Sequence, residues 1–172
     1  MTVYALGELV PAVHPDAYVH PDAVVIGNVE IGAGSTIWPS AVLRGDNGPI
    51  VVGERTSIQD GSVLHATAGL VTYVGNRCVV GHIVHLEGCT IEDDCLVGNG
   101  AIVQHRAVIR SGALVGANAF VGNGVEVPSY AMALGVPAKI RPDAVKPGHV
   151  DDAVRHYVEN GRRFRQELRR ID

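Results

Sequence analysis

Large aliphatic side chains return every six residues through most of this sequence. One register runs Val13, Val19, Val25, Ile31, Ile37, Leu43. Short registers follow at Val52, Ile58, Leu64 and at Val74, Val80, Leu86, and a long one goes from Ile91 through Val97, Val103, Ile109, Val115 and Val121 to Val127. Four positions after most of these sits a small or compact residue, among them Ala17, Ala23, Ala41, Cys78, Cys95, Ala101 and Ala107. A helix needs a period near 3.6 and a simple strand a period of two, so neither explains a strict six. A stack of short strands joined by turns does: the large residue points inward, the small one fills the corner, and each strand hydrogen-bonds to the coils above and below. Three such strands close a triangular coil, which makes the fold class an all-β solenoid. Its core must use small and branched side chains, in keeping with 21 glycines and an aromatic content of 5%. Glycine or asparagine relieves corners that need positive φ.

The rhythm breaks three times. Three residues are inserted between Leu43 and Val52, four between Leu64 and Val74, and one is missing between Leu86 and Ile91. Insertions in a solenoid become loops at a corner, so residues 45–49 and 67–70 are expected to protrude. Residues 1–12 read as a leading cap strand and residues 13–127 as the solenoid. Residues 128–149, with four prolines, read as an irregular connector. Residues 150–172 read as a helix whose apolar stripe is Val150, Val154, Tyr157, Val158, Gly161, Phe164 and Leu168. Asp151 and Asp152 suit its first turn and Arg162, Arg163, Arg165, Arg169 and Arg170 its end. Asn160-Gly161 weakens its middle.

At 172 residues the chain is one domain's worth of sequence, and a formal charge of −4 leaves no footprint for nucleic acid. The helix arginines read as solvated charge around a packed stripe. No uncharged apolar run of membrane-spanning length and no signal-like N-terminus are present, so a soluble cytoplasmic protein is expected. Cys78, Cys89 and Cys95 are odd in number and lack zinc-knuckle spacing, which suits structural thiols in a reducing compartment.

Counting three aliphatic steps per coil stacks Leu43, Leu64 and Leu86 on one face. The next residues, Arg44, His65 and Glu87, then form an outward column with neighbours ~4.8 Å apart, close enough for His65 and Glu87 to share one ion. On another face Ile58 stacks with Val80, and two positions beyond them lie Asp60 and His82. His82 cannot easily reach the His65/Glu87 column within one chain, but a threefold assembly brings a neighbour's His82 to it and Asp60 towards Arg44. This geometry predicts a homotrimer with metal sites at its interfaces. Two histidines and a carboxylate around an open position form an ordinary catalytic zinc arrangement, equally compatible with ferrous or cobaltous ion. Such an ion makes hydroxide available near neutral pH. Gln59 and Asp60 are placed to orient that water or to accept a hydrogen bond from a ligand histidine.

Leu-Arg-Gly-Asp at 43–46, Ile-Gln-Asp-Gly-Ser-Val-Leu-His at 58–65, Val-Gly-His at 80–82, Gly-Cys-Thr-Ile at 88–91 and Gly-Val-Pro-Ala-Lys at 135–139 resemble the gamma-class carbonic anhydrase family over nearly the whole chain. The resemblance implies a trimer of left-handed parallel β-helices of hexapeptide repeats, each with a C-terminal helix. It also implies a zinc or iron site at each interface and reversible hydration of carbon dioxide to bicarbonate. His65 matches the first ligand and His82 the ligand supplied by the neighbour. Arg44 and Asp60 match the interfacial ion pair, and Asp46 and Gln59 match the polar residues around the metal water.

The third ligand departs from the family, which usually has histidine immediately before Gly88 where this chain has Glu87. Three cases stay open: Glu87 ligates, His85 moves in, or the site has two protein ligands. The family's acidic loop with its proton-shuttling glutamate is absent, since 67–70 holds no carboxylate, and Ser57 replaces the usual asparagine. Other readings of the same residues are a metal-dependent hydrolase of a small ester or thioester, and a non-enzymatic trimer that binds a ligand or supports a complex. The ligand columns argue against an ordinary hexapeptide acyltransferase. His14, His20, His105, His149 and His156 have no converging partners in the repeat and read as surface or structural.

Overall fold

Three columns of aliphatic residues fill the interior of the protein, whose computed structural model describes residues 2–172. One column is Val25, Leu43, Leu64, Leu86, Val103 and Val121. A second is Ile31, Val52, Val74, Ile91, Ile109 and Val127. The third is Val19, Ile37, Ile58, Val80, Val97, Val115 and Ala133. All are buried, and each Val, Leu or Ile so buried contributes roughly 1.5–3 kcal/mol. The inferred stacking of Leu43, Leu64 and Leu86, and of Ile58 and Val80, is therefore the observed register. The whole is a left-handed parallel β-helix of about seven turns followed by a helix.

Corner positions are filled as the repeat requires. Where the corner residue carries a hydroxyl, it bonds to a carbonyl of the next coil: Ser35 to Gly53 at 2.6 Å, Thr56 to Gly75 at 2.7 Å and Ser62 to Gly81 at 2.7 Å. These buried oxygens are thereby satisfied.

The insertion at 45–49 does not protrude as an irregular loop. Val42–Val52 is one continuous strand that bends around a corner beside Val24–Ile31, with the register shifting between Gly27 and Val29. The cause is backbone approach between glycines. A Cβ on Gly27 would lie 2.5 Å from the Gly45 carbonyl oxygen, and one on Gly45 would lie 2.3 Å from that of Asn28. Without those side chains the three extra residues are absorbed within the ladder. These long strands join two faces into one sheet, and the third face is a second sheet.

Two boundaries also move. The connector is not irregular throughout: Met132–Leu134 adds a further parallel strand against Leu114–Val115, and Lys139–Arg141 returns antiparallel to it. The solenoid thus outlasts the aliphatic rhythm, because Ala133 rather than a larger residue fills the inward position. The helix is Asp151–Glu167, and Leu168 is already extended, at φ −66° and ψ 123°. At the other end Thr2–Tyr4 pairs in parallel with Val24–Ile26 as a cap. Met1, included in the expected cap, lies outside the described residues.

The helix lies on the face carrying Tyr18, Thr36, Ser57 and Val79. Val150 and Val154 are buried against Val79, and Trp38 packs edge-on against Tyr157 and Phe164, with ring centroids 5.9 and 5.1 Å away. Gly161, read as a weak point of the helix, faces the sheet at close range. A Cβ there would stand 2.6 Å from the Thr36 methyl. Among the described residues no helix is long and apolar enough to cross a membrane.

Candidate metal centre

Three strands in successive coils, Val42–Val52, Val63–His65 and His85–Glu87, hold Arg44, His65 and Glu87 in one outward column, with Arg44 opposite His65 and His65 opposite Glu87. The inward Leu43, Leu64 and Leu86 fix the pleat, so the following residue must point out. His65 Nδ1 is 3.1 Å from Glu87 Oε1, and His65 Nε2 is 3.0 Å from Asp46 Oδ1. Arg44 donates to the other Asp46 oxygen. Asp46 reaches the column because the glycine-lined bend carries its strand past the corner.

Glu87 is the hub of this cluster. Its Oε1 accepts from Thr67 Oγ1 at 2.7 Å, and its Oε2 lies 3.1 Å from His85 Nε2. His105 Nε2 lies 3.2 Å from the Thr67 hydroxyl and 3.5 Å from Glu87 Oε1. The Thr67 hydrogen bond is the main cause that lowers the Glu87 pKa to about 2. Burial opposes it, and His85, His105 and His65 reinforce it. At Asp46 burial pushes the pKa up, but hydrogen bonds from His65 and Arg44 outweigh it, and the group titrates below the usual carboxylate range. Both carboxylates are anions at neutral pH.

Thr67 is not among the expected site residues, and His105, expected to be surface or structural with no converging partner, instead converges on Thr67 and Glu87. Thr67 sits in the 67–70 insertion, out of register with the column. His105 belongs to the next coil, where Val103 stacks on Leu86 and the chain then passes beside Gly88. The usable signal was Gly88, whose φ is +58°. A Cβ there would meet Leu70 at 2.8 Å and His105 at 3.0 Å, so the turn has room for His105 only because it lacks a side chain.

Gln59, Asp60 and His82 stand elsewhere, at the end of the face that carries the helix. His82 Nδ1 is 2.9 Å from Asp60 Oδ2, and both side chains are nearly half exposed. Gln59 is buried, 4% exposed, near Tyr157 of the helix. Burial and the Asp60 charge raise the Tyr157 pKa, with Gln59 opposing. One chain therefore assembles Arg44, Asp46, His65, His85 and Glu87, and separately Gln59, Asp60 and His82. In this chain Arg44 pairs with Asp46 and Asp60 with His82. Among its described residues no group of three or more His, Cys, Asp or Glu side chains is arranged to hold a metal ion. The three cysteines are buried, and burial pushes the Cys89 thiol up to about 12, so Cys89 offers no reactive thiolate.

Comparison with known proteins adds three findings. Residues 11–45 match the family model of the bacterial transferase hexapeptide (six repeats). The carnitine operon protein CaiE of Escherichia coli is 48% identical over 98 residues, which cover 57% of this chain. The match spans about half the length, 50%, of that curated relative. Two solved structures superpose along almost the whole chain. A hexapeptide transferase family protein from Anaplasma phagocytophilum has 32% identity and a TM-score of 0.90, covering 95% of this chain and 98% of its own. A Bacillus cereus protein described as an acetyltransferase has 30% identity and a TM-score of 0.93, covering 97% and 98%.

Proposed function

This chain belongs to the hexapeptide transferase family, and from that premise we propose that it hydrates carbon dioxide reversibly at metal sites shared between the protomers of a homotrimer. The observation that carries the proposal is His65 clamped between two carboxylates, Asp46 at 3.0 Å and Glu87 at 3.1 Å. A neutral imidazole has one N–H and can donate to only one of them. The other nitrogen faces an anionic oxygen and needs a second proton or a cation between them. The donor set, imidazole and carboxylate, suits zinc, with ferrous or cobaltous ion as alternatives.

In this reading His65 and Glu87 of one protomer and His82 of a second would hold the ion. Asp60 supports His82 by occupying Nδ1 and leaving Nε2 free, the arrangement that orients a ligand histidine. Such an ion lowers the pKa of water and supplies hydroxide near neutral pH. Asp46, kept ionised and anchored by Arg44, is an acceptor that can orient water beside His65. Thr67, His85 and His105 hold Glu87 in place, and Gln59 sets the helix side of the neighbouring corner. A carboxylate ligand leaves the ion less positive than three imidazoles do, so activity below that of an all-histidine site is expected.

The test is carbon dioxide hydration by anaerobically purified protein, with metal quantified, zinc and ferrous reconstitutions run in parallel, and His65→Ala as control. Metal-dependent turnover lost in the control supports the proposal, and full metal occupancy without turnover sinks it. A second reading is hydrolysis of a small ester or thioester at the same site, favoured by the description of the Bacillus cereus relative as an acetyltransferase. It gains if the metal-loaded protein cleaves such esters but leaves carbon dioxide untouched.

A further inference from the structure

At a different corner of the prism from His65, the C-terminal helix and the first coils border a cleft of about 690 Å³. This is a volume typical of small-molecule sites. Arg55 enters it from the solenoid, and Arg155, Arg162 and Arg165 enter it from the helix. Arg165 is tied down, donating to the carbonyls of Pro15 and Ala17, and Arg155 donates to Asp152. Arg55 and Arg162 differ: among the described residues neither guanidinium takes part in an ion pair. Asp16, Glu54 and Glu159 also line the cleft, yet none of them pairs with either arginine.

A second observation belongs to the same wall. Tyr18, which lines the cleft, is 7% exposed, and its buried hydroxyl has no hydrogen-bond partner among the described residues. A buried hydroxyl left unmet is costly and asks for a partner. Arg165 is near enough for its charge to act on that hydroxyl, opposing the rise in pKa that burial causes.

We propose that this cleft binds a small phosphate monoester, with Arg55 and Arg162 gripping the phosphoryl group and Tyr18 and Arg165 completing the wall. The guanidinium fork matches phosphate oxygens two at a time. A dianionic head offers both unpaired arginines a bidentate partner, whereas a single carboxylate offers enough oxygens for one. The carboxylates of the lining offset the arginines' charge, so a diffuse or weakly charged ligand gains little. The remaining space takes the uncharged body of a nucleoside-sized molecule. The proposal does not depend on the metal reading, since none of these residues touches the His65 cluster.

The test is calorimetric titration of the full-length protein with adenosine monophosphate and with inorganic phosphate, adenosine serving as the uncharged control. Saturable binding of the two phosphates but not of adenosine is expected. Arg55→Gln and Arg162→Gln should each weaken it at least tenfold, and Arg162→Lys by less. Both arginines are exposed and unpaired, so the variants should keep the wild-type circular dichroism and melting temperature. No saturable phosphate binding, or binding indifferent to both substitutions, overturns the proposal. So does a change in sedimentation of the glutamine variants without phosphate binding, which would make the cleft a contact between copies of the chain.

Discussion

Glu87 is held by more hydrogen bonds than an exposed carboxylate needs, and that has a measurable consequence at low pH. Its pKa of about 2 in the folded protein lies below the ordinary 4.5, so its contribution to stability is complete above pH 4.5 and lost as pH falls towards 2. The shift sets an upper limit of about 3 kcal/mol, and residual solvent around the group reduces this to about 1–2 kcal/mol. In chelator-treated protein, urea unfolding at pH 6 and pH 3 should therefore show a smaller pH-dependent loss in Glu87→Gln than in wild type, by about 1–2 kcal/mol. An equal loss in both would mean that the Thr67, His85 and His105 contacts do not hold the anion. On the face proposed to supply the second histidine ligand, Asp60→Asn should weaken metal binding by about 10–100-fold in a chromophoric-chelator competition, because the amide no longer fixes the tautomer of His82. Unchanged affinity would remove Asp60 from that role. The column of Arg44, His65 and Glu87 was legible because a period of six dictates which residue points out. The partners Thr67 and His105 were not, since one sits in an insertion and the other enters through a glycine turn that periodicity does not describe.

The helix and the solenoid face meet at Gly161, where local propensity and packing make opposite predictions. Replacing a mid-helix glycine by alanine should gain about 1 kcal/mol from propensity alone. Here the added Cβ meets the Thr36 methyl at 2.6 Å and the Tyr18 Cβ at 3.2 Å. Thr36 is buried and its hydroxyl accepts from Trp38 Nε1 at 3.0 Å, so it cannot turn aside cheaply. Overpacking of this kind costs about 1–3 kcal/mol, and packing should win. Gly161→Ala is expected to lower the midpoint of thermal unfolding, and adding Thr36→Ser, which keeps the hydroxyl and removes the methyl, should restore it. A stabilised single variant would show that the helix rides higher on the sheet than described. The apolar stripe from Val150 to Phe164 told which side of the helix packs. That Gly161 stands tight against Thr36 depends on the residue opposite it, and a single element's sequence does not reveal its neighbour. The same limit applies to 45–49: three extra residues signal an insertion, but only the apposition of Gly27 and Gly45 turns it into strand.

At the scale of the whole molecule, the His65 and His82 groups lie at different corners of one prism, so the proposed metal site closes only between two chains. Because a cyclic trimer repeats one heterologous interface three times, each site of the proposed assembly would draw His65 from one protomer and His82 from the next. Two variants inactive for different reasons should then complement each other. His65→Ala protein lacks a ligand on one side of every interface and His82→Ala protein on the other, so neither alone retains a complete site. If the two are mixed in equal amounts, dissociated and allowed to reassociate at random, one interface in four combines an intact His65 with an intact His82. Metal content and turnover should return to about a quarter of the wild-type value, while each parent treated alone stays inactive. Recovery would require the ligands to come from different chains, a conclusion that loss of activity in the single variants cannot give. Failure to recover, with mixed trimers demonstrated by mass spectrometry, would refute a site shared between His65 of one chain and His82 of the next.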